Sequence, residues 1–351
     1  MTRYWTDLAR RLTPYVPGEQ RSGADIVKLN TNENPYPPSP AALRAISQVS
    51  GNALRRYPDP DASALRQSLA RYHGVQADQI FVGNGSDEIL AMAFMAFFTS
   101  DKPLQFPDIS YSFYPVYCDL LNIKARTVPL DEDYQLDLDS FNTEDGGGII
   151  FPNPNAPTAM HVDVAAIENL LGAASDQVVL VDEAYADFGA ASAIELIDQY
   201  PNLLVSQTFS KGRSLAGLRL GVAIGDSNLI TALRSVKDSF NSYPVDAIAQ
   251  AAGIASVADD DYYQQTTRQI IQTRTETVKQ LQARHWQVLP SSANFVFASP
   301  TTGSASDIFS YLSNEGILLR HWDKDRLREW LRISIGTDQE MAKFFAALDR
   351  Y

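Results

Sequence analysis

Cysteine is almost missing from this chain of 351 residues, which contains only Cys118. One thiol excludes an internal disulfide framework and a thiolate metal cluster, and it makes a reducing, cytoplasmic setting the expectation. Histidine is scarce as well: His73, His161, His285 and His321 are scattered without ligand spacing, so no structural metal is expected. Residues 1–8 lack the apolar core of a signal peptide, and no stretch is long and apolar enough to span a bilayer. Positive charge is in deficit, with 29 Lys and Arg against 42 Asp and Glu for a net charge of −13. That balance argues against nucleic-acid and anionic-membrane partners. Any local group of cations is then expected to serve a specific anion.

An apolar share of 45% is enough for the buried core of one large or two intimately joined domains. The polar, glycine-punctuated stretch 208–221 lies between the strand-like runs Leu203-Leu204-Val205 and Leu220-Gly221-Val222-Ala223-Ile224. Lys211 is thereby placed on a loop at a strand end, where sheet enzymes keep their chemistry. Such a lysine suits Schiff-base formation with an aldehyde cofactor, and a Ser-Lys-Gly surface loop is the plain alternative. A cofactor reading demands three further features: a carboxylate for a ring nitrogen, cations and hydroxyls for a phosphate, and a helix start for the same phosphate.

All three occur. Gln79-Ile80-Phe81-Val82-Gly83-Asn84-Gly85-Ser86-Asp87 reads as a strand, a glycine turn and a helix with Ser86 as its N-cap. This is a phosphate seat or an ordinary capped helix, and without a lysine at the Walker spacing it is not a nucleotide P-loop. The apolar run 178–181 ends in Asp182-Glu183-Ala184-Tyr185, acids at a buried strand tip that need a cation or serve as a helix cap. Arg332 interrupts the apolar run 330–336 and calls for a carboxylate or phosphate. The alternation of apolar strands with a crossover helix near 164–174 predicts a mostly parallel sheet covered on both faces. Beyond 245, helices such as 273–283 alternate with strand signals, including 316–320, as in a smaller α+β domain. Residues 1–35, rich in Pro and Asn, read as an arm laid across a surface or as a plain lead-in.

Taken together, the segments 12–18, 30–35 and 56–58, Gly83 to Glu88, Asn153 to Thr158, Asp182 to Tyr185, Ser210-Lys211 with Arg219 eight residues on, Tyr243-Pro244 and Leu331-Arg332-Ile333 resemble the class II, fold-type I pyridoxal-phosphate aminotransferases. Within them the set is most similar to the histidinol-phosphate aminotransferase family of histidine biosynthesis. The resemblance implies an N-terminal arm over 1–35, a large cofactor-binding domain over 36–245 and a small α+β domain over 246–351. It implies pyridoxal 5'-phosphate held through Lys211, with Asp182 on the ring nitrogen, Tyr185 and Asn155 at the ring hydroxyl and Tyr111 on the ring face. Gly85, Ser86, Asp87, Ser210 and Arg219 would grip the phosphate, with Tyr57 reaching in from the second subunit of a homodimer.

Catalysis would fall to Lys211, Asp182 and Tyr185, with Lys211 moving the proton from the substrate α-carbon. Arg332 and Arg320 would bind the anionic ends of a small amino donor and a 2-oxo acid acceptor, with Tyr243 and Tyr15 as pocket walls. The loop 153–159 departs from the family's pattern at Ala156 and Ala159, so either Asn155 reaches the ring in place of the usual asparagine or Tyr185 holds the ring hydroxyl alone. An aromatic amino-acid aminotransferase, a threonine-phosphate decarboxylase and a catalytically silent cofactor-binding regulator are the rival readings. The retained Lys211, Asp182 and Arg219 weigh against the last.

Overall fold

The structure is a computed structural model, and it describes residues 3–15, 18–21, 23 and 25–351. Val16 and Pro17, within the segment 12–18, lie outside the described residues, as do Met1 and Thr2 of the N-terminal arm. A seven-stranded sheet runs in the spatial order Ile80–Asn84, Leu220–Gly225, Leu203–Thr208, Val179–Asp182, Ile149–Pro152, Leu104–Pro107 and Ala125–Val128. Neighbouring strands are parallel except at Leu220–Gly225, which pairs antiparallel with both Ile80–Asn84 and Leu203–Thr208.

The central strands are apolar throughout because both faces are covered. Ile149, Phe151, Val179, Val181, Leu203 and Val205 point into one core. Ile150, Leu180, Leu204 and Ala223 point into the other, beneath the helices Gly85–Phe97 and Ser227–Phe240. A period of two thus divides each strand between two cores.

The C-terminal part forms a four-stranded antiparallel sheet in the order Arg320–His321, Leu331–Ser334, Phe295–Pro300 and Trp286–Val288. The helices Asp260–Ala283, Ala305–Asn314 and Asp338–Leu348 pack on it around Ile270, Leu281, Ile308, Leu312, Phe344 and Phe345. The short strand Val27–Lys28 pairs in parallel with Ile317–Leu318, joining the N-terminal segment to this part of the chain.

Three local expectations need correction. The helix expected over 273–283 starts at Asp260, because Asp260 and Asp261 supply an acidic first turn and no glycine or proline interrupts the run. The strand signal at 316–320 divides into Ile317–Leu318 and Arg320–His321, which join different sheets. Ser86 is not an N-cap: the helix begins at Gly85, and the backbone N–H of Asn84 is bound by Glu88 Oε2 at 2.6 Å. Glu88 reaches back one turn to the N-cap residue, as in half of a capping box, and the N–H groups inside the first turn receive no side-chain cap from Asn84.

Candidate active site

The C-terminal tips of the parallel strands converge on a cavity of about 730 Å³. Pro107, Pro152, Asp182 and Thr208, each the last residue of its strand, contribute to the wall. Ligands collect at such an edge because the loops that follow the strands open there while the sheet stays rigid. Ser86, Asp87, Tyr111, Tyr185, Ser210, Lys211 and Arg219 reach the same cavity from the large sheet. Tyr15, Arg320 and Arg332 reach it from the N-terminal segment and the smaller sheet.

Lys211 follows the strand Leu203–Thr208 by three residues, and its amine donates to the backbone carbonyl of Thr31 at 3.1 Å. It stands 5.6 Å from the centre of the Tyr185 ring. The loop under it is tied down on two sides. Asn34 Nδ2 donates to the carbonyls of Lys211 and Gly212 at 2.9 and 3.2 Å, and the N–H of Gly212 donates to Asp187 Oδ2 at 3.1 Å. A methyl group at Gly212 would fall 2.3 Å from that oxygen, so only glycine allows the loop to approach.

Asp182 is 4% exposed and makes no ion pair among the described residues. Burial above all, with a smaller push from the neighbouring Asp87, leaves its carboxyl raised to about 6. The phenol of Tyr114, donating at 3.0 Å, and the N–H of Ala184, donating at 3.3 Å, pull in the opposite direction. A buried carboxylate with neutral donors but no cation is the complement of a bound cationic group. Glu183, the next residue, faces away into contacts with Ser192, Ala193 and Gln207, and burial pushes it up to about 7.

The start of the helix Gly85–Phe97 borders the same cavity through Ser86 and Asp87. Asn84 provides no side-chain cap, so the first-turn N–H groups lack that acceptor. Arg219 Nη2 donates to Asp87 Oδ2 at 3.0 Å, and Tyr111 donates to the other oxygen of Asp87 at 2.9 Å. Across the cavity, Arg332 donates from Nη2 to the carbonyl of Asn30 at 2.7 Å, while its buried Nε has no partner among the described residues. Burial lowers the pKa of this guanidinium, so a buried anion would relieve its desolvation. The Arg332 and Arg320 guanidinium groups each lie 5.4 Å from the Trp322 ring.

Four sequence candidates do not line the cavity. Asn155 is 5% exposed, and its amide nitrogen is spent on the Ile109 carbonyl and on Thr158 Oγ1, at 2.9 and 3.0 Å. The wall is formed instead by its neighbours Ala156 and Pro157. Tyr243 is no pocket wall in its own chain. It lies on the outer surface, where its ring stacks on Tyr57 with centres 4.6 Å apart. Tyr57 is 82% exposed there and does not line this cavity. Gly85 lies behind the wall, beneath Arg219.

The segment 30–34 corrects the surface-arm expectation. Asn30 and Asn32 are 1% exposed, and Asn32 donates to the hydroxyl of Tyr185 at 3.1 Å while accepting from Ser334 at 2.7 Å. Sequence reasoning gave these residues, Trp322 and Tyr114 no role. The repeated asparagines of 30–34 were the available signal, since buried side-chain amides are commonly hydrogen-bonding anchors.

The family model for aminotransferases of class I and II matches residues 24–348. The histidinol-phosphate aminotransferase 1 of Hydrogenovibrio crunogenus is 51% identical over 348 residues, covering 99% of this chain and 98% of its own. That of Burkholderia pseudomallei is 52% identical over 351 residues, again with 99% and 98% covered. Among solved structures, a histidinol-phosphate aminotransferase from Sinorhizobium meliloti in complex with pyridoxal-5'-phosphate superposes with a TM-score of 0.89 at 27% identity. That match covers 99% of this chain and 96% of the other.

Proposed function

The chain belongs to the class I and II aminotransferase family, and from that premise we propose that it moves an amino group between L-histidinol phosphate and 2-oxoglutarate, with pyridoxal 5'-phosphate as cofactor. The observation that carries this reading is the pairing, within one cavity, of a buried carboxylate that has no ion-pair partner among the described residues and a lysine whose amine donates to a carbonyl. A cofactor with a protonated ring nitrogen, an aldehyde and a phosphate fits that donor set. Asp182 would hold the ring nitrogen, Lys211 the aldehyde carbon, Tyr185 the ring hydroxyl and Tyr111 a ring face. Ser210, Arg219 and the first turn of Gly85–Phe97 would hold the phosphate.

When bound, the cofactor supplies an electron sink for negative charge at the substrate α-carbon. The remaining work belongs to the chain itself. Asp182, kept from water, holds a positive charge opposite its carboxylate. Tyr185 is oriented by Asn32 and holds its hydroxyl toward the cavity. Lys211 serves as base and then acid, taking a proton from the α-carbon and returning it at the far end of the transfer. Asn34 and Asp187 keep the Lys211 backbone in place while the amine swings.

Arg332 and Arg320 suit two different substrates because a guanidinium fork accepts a carboxylate or a phosphate equally well. Histidinol phosphate brings a phosphate without a carboxylate, and 2-oxoglutarate brings carboxylates alone. The single-turnover test is to add L-histidinol phosphate, or L-phenylalanine, to the yellow protein and to follow loss of its visible band. Bleaching by histidinol phosphate at much lower concentration is expected. Preferential bleaching by phenylalanine would move the assignment to aromatic transamination, and a colourless protein would remove the cofactor from it.

A homodimer with sites at the interface belongs to the same proposal. It is supported by an exposed apolar group of Leu54 at 57%, Tyr57 at 82%, Phe240 at 72% and Tyr243 at 42% exposure. Division into 1–35, 36–245 and 246–351 is proposed with it, and the pairing of Val27–Lys28 with Ile317–Leu318 supports assigning the arm to the smaller part.

A further inference from the structure

Tyr114 opens the helix Tyr114–Leu121 and is fully buried, at 0% exposure. Tyr111, Ser112 and Pro115 line the cavity, whereas Tyr114 stands behind that wall. Its ring is held by Phe106 at 5.9 Å, Tyr111 at 5.7 Å and Phe94 at 6.4 Å between centres. From this apolar seat its hydroxyl donates to Asp182 Oδ2 at 3.0 Å. Among the described residues the other carboxylate oxygen receives only the N–H of Ala184, at the longer distance of 3.3 Å. Tyr114 is therefore the one side chain among the described residues that donates to Asp182. A buried tyrosine aimed at a buried acid is worth most when that acid must stay charged.

We propose that Tyr114 is a positioning residue whose hydroxyl holds the Asp182 carboxylate oriented and ionised from behind the cavity, so that the shared proton stays on the cofactor's ring nitrogen. This rests on reading Asp182 as the partner of that nitrogen. The carboxylate and the ring compete for one proton, and a donor on the carboxylate lowers its appetite for it. Burial and the Asp87 carboxylate, from the start of the helix Gly85–Phe97, both work the other way. Tyr111 and Tyr117, the other phenols on this side, are committed to Asp87 at 2.9 and 2.7 Å and do not replace the missing donor when Tyr114 is changed.

The test is Tyr114→Phe in the holoenzyme, loaded with cofactor labelled with 15N at the ring nitrogen and read by NMR at a fixed pH. The change deletes one oxygen from a ring kept in place by its aromatic neighbours, so the fold is retained, as circular dichroism checks. The nitrogen signal is expected to move toward the neutral form, with kcat about tenfold lower and KM within about twofold of wild type. In an Asp182→Asn background the same change is expected to cost no more than about twofold further, because the path through the carboxylate is already broken. An unmoved nitrogen signal in Tyr114→Phe, or an equal loss of kcat in both backgrounds, would overturn the proposal. A wild-type protein that takes up no cofactor, or shows a neutral nitrogen, would instead overturn the cofactor reading on which it stands.

Discussion

Arg219 lies directly over Gly85: a Cβ built on that glycine would fall 2.6 Å from Arg219 Nη2. Gly85 also has φ +80°, where a side chain is strained. The backbone conformation favours glycine there, and a side chain would displace Arg219 at the point where the proposed phosphate seat begins. Gly85→Ala is expected to lower stability by about 1–2 kcal/mol from the backbone alone. Displacement of Arg219 is expected to weaken cofactor binding roughly tenfold, since a charge-assisted hydrogen bond is worth about 1.5–3 kcal/mol. Thermal melts with and without cofactor separate the two effects, and a variant that binds cofactor as tightly as wild type would contradict the second.

Lys211→Ala removes one hydrogen bond, to the Thr31 carbonyl, and leaves the loop anchors at Asn34 and Asp187 in place. The folded apoprotein is expected to melt within a few degrees of wild type. Turnover should fall by about 10²–10⁴-fold or more, the range for removal of a general acid and base. Steady-state assays beside a melting curve check this, and measurable transamination near the wild-type rate would remove Lys211 from the mechanism.

Arg332→Ala is expected to raise KM for histidinol phosphate by about tenfold to a hundredfold, the cost of losing a charge-assisted contact. Stability should fall as well, because the Asn30 carbonyl loses its 2.7 Å donor. Arg332→Lys keeps the charge without the fork and should recover only part of the loss. Equal KM values for wild type and Arg332→Ala would place the anion elsewhere.

Glu183 gives a prediction for stability against pH. Its carboxyl is raised from 4.5 to about 7 by burial, so the folded state binds the proton more tightly than the unfolded state does. Its stabilising contribution is complete below about pH 4.5 and is lost as pH rises through about 7. Glu183→Gln keeps one acceptor oxygen, for the Ala193 N–H, sets a donating NH2 opposite Ser192 and Gln207 at a pH-independent cost, and removes this titration. Relative to that variant, the wild type is expected to lose on the order of 1–3 kcal/mol between pH 4.5 and 8. Denaturant unfolding of both proteins across that range is the measurement, and parallel pH curves would refute it.

Tyr57 and Lys211 allow a mixing test of the dimer. If Tyr57 serves the neighbouring subunit, a hybrid of a Tyr57→Ala chain with a Lys211→Ala chain contains one site with both residues intact. Mixing the two impaired proteins under conditions of subunit exchange should then restore activity. No restoration, with hybrids confirmed by mass spectrometry, would show that Tyr57 acts within its own subunit or not at all.

Much of the fold and the central chemistry was readable in the order of residues. Unbroken apolar runs such as Val179 to Val181 mark strands covered on both faces, and the polar residues that follow them mark the working edge. Asp182 and Lys211 each follow such a run closely, so their approach to one cavity follows from sheet topology. The asparagines of 30–34 were harder to place. Their role depends on partners such as Ser334 and Lys211, far along the chain, and no local pattern encodes those contacts.

By itself, then, the sequence determined the strand pattern, the lysine and acid at strand ends and the arginine within an apolar strand, because each is a local conflict between polarity and burial. Only the tertiary structure decided that Asn155 does not line the cavity, that Tyr243 packs on Tyr57 at the surface and that Tyr114 lies behind Asp182. Tyr111, Tyr114 and Tyr117 look alike in the sequence. Depth within the folded chain separates them: Tyr111 precedes the helix Tyr114–Leu121 and lines the cavity, whereas Tyr114 and Tyr117, on that helix, are buried behind it.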